Sequence, residues 1–234
     1  MSSHPQIPRP VDAESAQAAG SDATKTRLME AAVRVFAERG FHAASMRSIT
    51  QLAGTSVSAA NYHFGSKVEL LRAALSARAA AMNELRLTTL AKVEAAAGER
   101  PIAVEVILDA YLRPLFERFT AAQALEPEAG ALARGLALRL YVDPPEIVAE
   151  IRRELFDPIN RRFAEALAKT LPSAAPSQVD FALEVTVGAW IHFVVANAPQ
   201  VETAEEMSLE RLERMIVFLA AGIEAVVADS GGTS

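Results

Sequence analysis

The chain has 234 residues, of which 51% are hydrophobic, and its formal net charge at pH 7 is −6. This apolar content is ample for a helical core. The absence of cysteine excludes disulfides, thiolate metal sites and a cysteine nucleophile. No apolar run reaches the roughly 18 residues that a membrane span needs, and the N-terminus lacks an apolar signal core. We therefore expect a cytoplasmic protein with no membrane partner.

The N-terminal part of the chain is predicted to hold a flexible tail and then a supporting helix. Residues 1–23 contain three prolines and no periodic apolar face, which is typical of a flexible tail. From Thr24 to Gly40, apolar residues recur three and four positions apart. This spacing predicts an amphipathic helix that ends at Gly40.

Residues 45–67 predict two short helices joined by a tight turn. Ser45 can cap the first helix, and Gly54 can end it in the left-handed conformation. Thr55 and Ser56 then supply a cap for a second helix from Val57 to Phe64. This order of elements is that of a helix-turn-helix, whose second helix enters the major groove of DNA.

The next helix begins with a sequence suited to bind phosphate. Ser66 and Glu69 have the spacing of a capping box, which places Lys67 at the first helical position. A lysine there adds a side-chain charge to backbone N–H groups that already point outward.

The remainder of the chain is predicted to be helical, and no segment has the alternating pattern of a strand. Pro114 and Pro158 are expected to bend two of the helices, and Asp143 is expected to cap a helix with Pro144 and Pro145 just inside it. The fold class is therefore all-α. The predicted helices span 66–97, 102–124, 127–141, 143–171, 176–197 and 203–228, the last opened by a capping box of Thr203 and Glu206.

Charge is distributed unevenly along the chain. Residues 25–67 carry six basic and two acidic side chains, a net charge of +4, which leaves −10 on the rest. A basic region on an otherwise acidic protein is consistent with contact to DNA through one end of the molecule.

The run TRLMEAAVRVFAERGFHAASMRSITQLAGTSVSAANYHFGSKVELL resembles the DNA-binding domain of TetR-type (TetR/AcrR) bacterial transcriptional regulators. The resemblance covers about 45 of the 234 residues. One departure is Asn61, where the common pattern has a tyrosine. The resulting Asn-Tyr-His-Phe sequence is similar to a subgroup that includes PsrA-like fatty-acid-responsive repressors.

The resemblance implies a division of the chain into functional parts. Residues 24–67 correspond to the three-helix DNA-binding domain, and residues 68–228 to a larger helical domain for effector binding and dimerisation. Residues 229–234 are expected to form a flexible C-terminus. Such a protein binds double-stranded DNA, requires no cofactor and holds no metal.

Base-reading and phosphate-binding residues are expected on the second short helix and at the neighbouring helix ends. Val57, Ser58 and Ala59 match the base-reading positions of the family. Asn61 can pair with an adenine edge or bind a phosphate, and it matches a phosphate position of the family. The structural alternative is that Asn61 only caps the end of the helix. The full set of candidate DNA-binding residues is Ser45, Arg47, Ser56, Val57, Ser58, Ala59, Asn61, Tyr62, His63 and Lys67.

Three of these side chains have a structural alternative. Tyr62 and His63 can reach phosphate oxygens, or they can pack their rings beneath the helix. Arg47 is expected to meet the DNA backbone or a base edge, and its alternative is a solvated surface arginine.

The last two predicted helices are apolar along wide faces, which favours a homodimer. One face holds Phe181, Val185, Gly188, Ala189, His192, Val195 and Ala196, and the other holds Leu212, Met215, Ile216, Leu219, Ala220 and Ile223. In the family, this pair of helices forms a four-helix bundle with a second subunit. A dimer presents two recognition helices about 34 Å apart to a palindromic operator. The alternative is that both faces fill the core of one subunit.

The larger domain is expected to bind a small effector between its bent helices, and its apolar composition suggests a hydrophobic one. Polar residues within apolar stretches are the candidate pocket lining, and the alternative for each is a structural polar group whose hydrogen bonds are satisfied within the protein. These candidates are Tyr111, Arg113, Arg139, Tyr141, His192 and Asn197.

An enzyme is not expected. The four histidines lack metal-ligand spacing, and the sequence has neither a glycine-rich phosphate loop nor a nucleophile elbow. The sequence therefore predicts a dimeric repressor that an effector releases from its operator by moving the helix that begins at Ser66. The alternative function is a helical ligand- or protein-binding module with a non-functional DNA-binding domain.

Overall fold

The computed structural model describes residues 11–142, 144–196 and 209–229, and its regular structure is helical throughout these ranges. The predicted all-α fold is confirmed, since no strand occurs among the described residues. The helices are α1 (Val11–Ala43), α2 (Met46–Ala53), α3 (Val57–Phe64), α4 (Lys67–Ala97), α5 (Val104–Leu125), α6 (Pro127–Tyr141), α7 (Glu146–Thr170), α8 (Pro176–Ala196) and α9 (Leu209–Asp229).

Helix α1 begins earlier than the sequence pattern indicated. It starts at Val11, so residues 11–23 are helical rather than part of a flexible tail, whereas residues 1–10 lie outside the described ranges. All three N-terminal prolines precede Val11, and the following segment is rich in alanine, the best helix former. An apolar stripe is needed to pack a helix against a core, but a helix can continue beyond its packed part without one. Gly40, the predicted end of the helix, breaks the helical conformation at φ 75° and ψ 173°, although the bounds of α1 extend to Ala43.

The chain divides into two compact units, with the boundary between Leu75 and Ser76. We call the N-terminal unit the head and the C-terminal unit the body. Helix α4 belongs to both, because its residues 67–75 lie in the head and its residues 76–97 in the body. The boundary lies later than the division at residues 67 and 68 that the sequence suggested. Leu70, Leu71, Ala74 and Leu75 explain this difference, since all four are buried.

The head is built around a small apolar core. Helix α1 contributes Leu28 and Phe36, α2 contributes Ile49, and α3 contributes Ala60, all of which are almost fully buried. Helices α1, α2 and α3 pack against one another. The head therefore has the three-helix arrangement that the sequence predicted, and α3 has the predicted bounds.

The body has a larger core to which α4, α5, α7, α8 and α9 contribute. Its most deeply buried side chains include Leu90, Leu108, Phe163 and Leu212, on α4, α5, α7 and α9. Helix α6 has exactly the predicted bounds, with Pro127 at its start. Pro114 and Pro158 lie inside α5 and α7, which continue through them.

The start of α7 differs from the prediction. The N-cap residue is Pro145, and no side chain caps the helix, so Pro144 and Pro145 precede α7 rather than opening it. A residue followed by proline is disfavoured in the helical region, which keeps Pro144 outside the helix. The predicted cap Asp143, the residue Asn197 and the capping box of Thr203 and Glu206 lie outside the described residues.

Helix α8 is the one described helix long and apolar enough to cross a membrane by length and composition. It contains Asp180 and Glu184, and it buries Val179, Leu183 and Phe193 in the core of the body. These properties are those of a core helix, so the length and composition of α8 are weak evidence for a membrane span.

Candidate functional site

Helix α2 is held at its start by a reciprocal pair of hydrogen bonds. The Ser48 N–H donates to Ser45 Oγ, and the Ser45 N–H donates to Ser48 Oγ, each at 3.1 Å. This is a capping box in which a serine occupies the position that glutamate or glutamine usually takes. The predicted cap at Ser45 is confirmed. Because the box fixes the N-terminus of α2, it also fixes where the exposed side chain of Arg47 leaves the head.

The turn between α2 and α3 is made by Gly54 and Ser56. Gly54 has φ 62° and ψ 42°, the left-handed conformation that ends a helix and that side chains disfavour. Ser56 Oγ accepts the N–H of Ala59 at 3.0 Å and so caps α3. The Ser56 hydroxyl, a predicted DNA contact, is therefore already engaged in positioning the helix.

The outward face of α3 is polar and open to solvent. Val57, Ser58, Asn61 and Tyr62 are exposed, and Ala59 is half-buried. The Asn61 side chain makes no hydrogen bond with the described residues, so it does not act as the helix cap considered above. Its amide is available to a partner outside the protein.

The two aromatic polar residues of α3 differ in exposure. The Tyr62 side chain is 86% exposed, which contradicts the alternative that its ring packs beneath the helix. His63 is half-buried, and its ring contacts Tyr62 and Phe64 edge to face at centroid distances of 5.3 and 6.2 Å. The Tyr62 side chain is therefore accessible to a partner outside the protein, whereas the His63 ring packs against it.

The charge around α3 favours an anionic partner. Residues 39–68 contain no aspartate or glutamate, so no carboxylate of this segment faces the outward surface. Arg47 is exposed and forms no ion pair with the described residues. A surface that combines a free guanidinium with hydroxyl and amide groups suits phosphate and base edges.

The structure gives the Lys67 side chain a different role from the predicted phosphate contact. Its Nζ donates to the carbonyl oxygens of Phe41 and Ala44, at 2.8 and 2.9 Å, and lies 4.1 Å from the centroid of the Phe41 ring. Each hydrogen bond from a charged donor contributes about 1.5–3 kcal/mol. Lys67 therefore ties the first turn of α4 to the end of α1 and to the residue that follows it, and so holds the helix-turn-helix in place.

The body contains a buried cation at its centre. Arg86 on α4 is only 3% exposed, and its Nε donates to the Tyr111 carbonyl oxygen of α5 at 3.0 Å. Its guanidinium lies 4.0 Å from the centroid of the Tyr111 ring. Burial lowers the pKa of Arg86, and Tyr111 and Tyr141 partly oppose this effect. No carboxylate among the described residues pairs with Arg86.

Two tyrosines line the same region. The Tyr111 hydroxyl donates to Asn160 Oδ1 at 2.7 Å, and its ring meets Phe163 edge to face at 4.9 Å. Tyr141 on α6 lies 5.2 Å from the Arg152 guanidinium, measured to the ring centroid. Burial raises the pKa of Tyr141 far above its ordinary value, so its hydroxyl is protonated at neutral pH.

Two protein-family models match the chain, one in the head and one in the body. Residues 28–74 match the model described as bacterial regulatory proteins of the tetR family, and residues 109–222 match a tetracyclin repressor-like C-terminal domain. Together these ranges include more than half of the chain. The chain belongs to the TetR family. It is accordingly a DNA-binding transcriptional regulator with a helical C-terminal domain.

Solved structures share the fold of this TetR-family chain. A transcriptional regulator from Pseudomonas aeruginosa PAO1 is 18% identical, with a TM-score of 0.57, over 86% of this chain and 90% of that one. The fatty acid degradation regulator FadR from Bacillus halodurans is 14% identical, with a TM-score of 0.54, over 85% and 96%. A regulator from Aquifex aeolicus VF5 is 22% identical, with a TM-score of 0.54, over 87% and 99%. Comparison with curated proteins finds no match.

Only part of the predicted effector pocket of this TetR-family regulator is brought together. Tyr111 and Tyr141 both lie near Arg86. Arg113 instead pairs with Asp109 and Glu213 at 2.6 and 3.6 Å, and its hydrogen bond to Asp109 raises its pKa. The other three predicted residues do not join the group: Arg139 and His192 are exposed, and Asn197 lies outside the described residues.

Three polar residues that the sequence did not indicate contact the two tyrosines: Arg86, Arg152 and Asn160. Arg86 stands between Leu85 and Leu87, but α4 also carries Arg72, Arg78 and Lys92. Nothing in the sequence of α4 therefore distinguishes Arg86 from an arginine on the solvent side of the helix. Its burial depends on α5 and α6, which the sequence of α4 does not report.

The predicted apolar face of α8 is partly exposed, as a dimer interface requires, whereas that of α9 is buried in the core of one subunit. On α8, the predicted face is exposed at Phe181, Val185, Gly188 and His192, which recur at helical spacing. On α9, the predicted face is buried in the core of the same subunit, at Leu212, Ile216, Leu219, Ala220 and Ile223. Away from this buried side, α9 exposes Val217 and Phe218, whereas Leu209 and Val226 are exposed at other positions around the helix. The α9 part of the predicted dimer face is therefore wrong in its residues.

Proposed function

We propose that this TetR-family regulator is a homodimeric repressor that binds a palindromic operator through α3 and is released by a small, largely apolar effector bound in the body. The observation that carries this proposal is the outward face of α3. Its polar side chains are open to solvent, the helix is capped by Ser56, and no acidic residue lies between positions 39 and 68. The Asn61–Phe64 sequence supports placing the chain in the PsrA-like subgroup.

The DNA contacts divide into base-reading and phosphate-binding residues. Val57, Ser58 and Ala59 at the start of α3 read base edges, because the N-terminal part of a recognition helix lies deepest in the groove. Phosphates are bound by Ser45, Arg47, Asn61, Tyr62 and His63. Ser56 and Lys67 contribute by holding α3 and α4 in place, as their hydrogen bonds support.

The dimer forms through α8 and the exposed side of α9 that carries Val217 and Phe218. Phe181 and Val185 on α8, and Val217 and Phe218 on α9, are large apolar side chains left exposed in the single subunit. Exposed apolar groups on adjacent helices favour association with a second copy. Pairing of these faces presents two copies of α3 to half-sites about 34 Å apart.

Release from DNA requires that effector binding change the arrangement of the recognition helices. Helix α4 extends from the head into the body, and Arg86 lies on its body portion. An effector that contacts α4 can therefore act on the helix that also carries Lys67. A differential affinity of a few kcal/mol between the two states is sufficient to empty the operator. The regulator acts in the cytoplasm without a cofactor.

Selection of binders from a random DNA duplex pool tests this function. At about 0.15 M ionic strength, the protein should enrich a palindrome with half-sites one helical turn apart. Ser58→Ala should change which sequences are enriched, whereas Arg47→Ala should weaken binding to all of them. If the folded dimer enriches no sequence, the chain is instead a helical binding module with a non-functional head.

A further inference from the structure

Two side chains of α4 donate to main-chain carbonyl groups of other helices in the body. Asn83 Nδ2 donates to the Leu155 carbonyl oxygen of α7 at 2.9 Å, and Arg86 Nε donates to the Tyr111 carbonyl oxygen of α5 at 3.0 Å. Asn83 and Arg86 are three residues apart, so they lie on the same face of α4. One face of α4 is therefore hydrogen-bonded to two neighbouring helices at once.

Both acceptors stand three residues before a proline inside a helix. Leu155 precedes Pro158 in α7, and Tyr111 precedes Pro114 in α5, by this same spacing. A proline cannot donate to the carbonyl one turn earlier, and its ring pushes that turn open, so the helix kinks there. Carbonyl groups at such a turn can accept hydrogen bonds from a neighbouring helix. The two prolines thus provide the two places at which α4 is bound.

These hydrogen bonds fix the position of α4 along its axis more strictly than its apolar contacts do. Met82 and Leu90, on the same helix, are buried in the body. Apolar burial is non-directional, whereas an N–H···O hydrogen bond is lost when the two atoms move much beyond about 3.2 Å. Because a helix moves as a unit, a displacement of α4 acts on both hydrogen bonds together.

The facing surfaces of α4 and α7 also hold a buried acceptor and a buried donor without partners. Asn83 Oδ1 accepts no hydrogen bond, and Arg152 Nε donates none. Burying a polar atom without a hydrogen bond is unfavourable, and few such atoms occur in folded proteins. The observed position of α4 therefore leaves one hydrogen bond between these two helices unmade.

A shift of α4 along α7 would pair these two atoms. The helices run in the same direction, because Asn83 contacts Leu155 and, later in both helices, Glu94 pairs with Arg162. Arg152 lies three residues before Leu155, on the same side of α7. A movement of α4 toward its N-terminus by the rise of three helical residues, about 4.5 Å, brings the Asn83 carboxamide to Arg152. Shifts between roughly 1 Å and one helical turn occur in allosteric proteins.

We propose that the hydrogen bonds of Asn83 and Arg86, which we call the latch, hold α4 in the operator-binding state, and that release from DNA breaks them. In the released state, α4 is shifted toward its N-terminus and Asn83 Oδ1 accepts a hydrogen bond from Arg152 Nε. The shift reaches the head because α4 is one continuous helix whose residues 67–75 belong to it. This inference rests on the proposed function, since it names the residues that hold α4 in each state.

Removal of the two donors tests the latch. Asn83→Leu and Arg86→Met keep the approximate size of each side chain, and both should bind the selected operator roughly five- to a hundredfold more weakly without any effector, the usual range of coupling between sites. Arg86→Lys retains a donor for Tyr111 and should recover most of the affinity. Lys92→Met is the control, since Lys92 is an exposed cation of the same helix, and it should bind normally. Unchanged affinity in both latch variants overturns the proposal.

Substitution of Pro158 tests the latch without altering either donor. Pro158→Ala restores an N–H to α7 and closes the turn that presents the Leu155 carbonyl. Pro158 is exposed and alanine is the better helix former, so the melting temperature should be retained or should rise. Operator affinity should nevertheless fall severalfold, because Asn83 loses its acceptor. Unchanged affinity in Pro158→Ala contradicts the role of the kink and overturns the proposal.

Substitution of Arg152 should act in the opposite direction, because Arg152 stabilises the released state. Arg152→Met removes the donor to Asn83 Oδ1 and should bind the operator as tightly as the unmodified protein does, or more tightly. Arg153→Met is the matched control, because Arg153 neighbours Arg152 on α7 but is exposed and pairs with Glu146 at 3.2 Å. Weaker operator binding by folded Arg152→Met, with Arg153→Met unaffected, overturns the proposed released state.

A distance within the body separates the latch from the function on which it rests. The chain has no cysteine, so Thr88→Cys on α4 and Arg161→Cys on α7, both exposed, can carry a pair of spin labels in one subunit of the full-length dimer. The distance between the labels should change by roughly 2–5 Å in Asn83→Leu and stay the same in Lys92→Met. An unchanged distance in Asn83→Leu overturns the latch whether or not the protein binds DNA. If the distance changes but the unmodified protein binds no operator, the proposed function fails while the control of α4 by Asn83 stands.

Discussion

The head and the body distribute polar and apolar side chains in opposite ways. The head exposes Ser58, Asn61 and Tyr62, and it satisfies its half-buried cation Lys67 with two carbonyl oxygens. The body exposes large apolar groups such as Phe218, and it buries Arg86 without a carboxylate partner among the described residues. The head thus presents a polar surface and hydrogen-bonds its half-buried lysine internally. The body presents an apolar surface and buries a cation.

The largest expected effect comes from placing a charge on the exposed apolar face of the body. Phe218 is 78% exposed in the single subunit, so Phe218→Glu should leave the fold intact but prevent dimerisation by burying an unpaired carboxylate. Loss of the second head removes the gain from two linked sites, about a hundredfold or more in operator affinity. Sedimentation and DNA titration of the same samples measure both effects.

Val106 on α5 provides the control for this substitution. It is also an exposed apolar residue of the body, but it lies outside α8 and α9. Val106→Glu should therefore leave the protein dimeric and bound to its operator. A dimer that persists in Phe218→Glu would show that the exposed face of α9 is not the interface.

The second largest effect is expected at Lys67. Replacing it with methionine removes two charged hydrogen bonds and the contact with Phe41, and should lower the free energy of unfolding by about 2–4 kcal/mol. Denaturant titration measures this change. Lys25→Met is the control, because Lys25 is exposed and has only a distant pair with Asp22 at 4.0 Å. That variant should stay within about 0.5 kcal/mol.

The salt dependence of DNA binding distinguishes the two roles considered for Lys67. A positioning lysine leaves the number of phosphate contacts in the folded protein almost unchanged. A direct phosphate contact would lower the slope of log affinity against log salt by about one when the lysine is removed. Unchanged stability with a reduced slope would restore the role that the sequence suggested.

The features that sequence could predict are local in their physical cause. The bounds of α3 and α6, the break in α1 at Gly40 and the cap at Ser56 each depend on residues within one or two turns. Propensity, capping and glycine conformation determine these features without reference to the rest of the fold. The candidate surface of α3 could be predicted for the same reason.

The features that could not be predicted depend on contacts between distant segments. Lys67 reaches carbonyl oxygens more than twenty positions earlier in the chain. Helix α9 is apolar on more than one side, so only its packing in the body decides that Leu212 is buried and Phe218 is exposed. The burial of Arg86 likewise follows from α5 and α6. These are the residues for which the sequence suggested another role or none.

A smaller effect is expected at Tyr62, whose exposure makes it a test of surface chemistry alone. Tyr62→Ala should change the free energy of unfolding by less than about 0.5 kcal/mol, because the ring packs on little. Operator affinity should fall roughly tenfold through loss of a phosphate hydrogen bond, and Tyr62→Phe should reproduce most of that loss. Leu125→Ala is the control, since Leu125 is 84% exposed in the body. Unchanged operator affinity in Tyr62→Ala would remove Tyr62 from the interface.

The smallest effect is expected at the cap of α2. Substitutions of Ser45 and Ser48, singly and together, can show whether Ser45 only caps the helix or also binds a phosphate. Ser45→Ala should cost about 1 kcal/mol of stability through loss of the cap. Ser48→Ala removes the reciprocal hydrogen bond, and the two costs should not add, because each serine serves the other. If Ser45 acts only as a cap, operator affinity in Ser45→Ala should match that in Ser48→Ala. An additional loss in Ser45→Ala alone would show that its hydroxyl also binds phosphate, as the family resemblance implies.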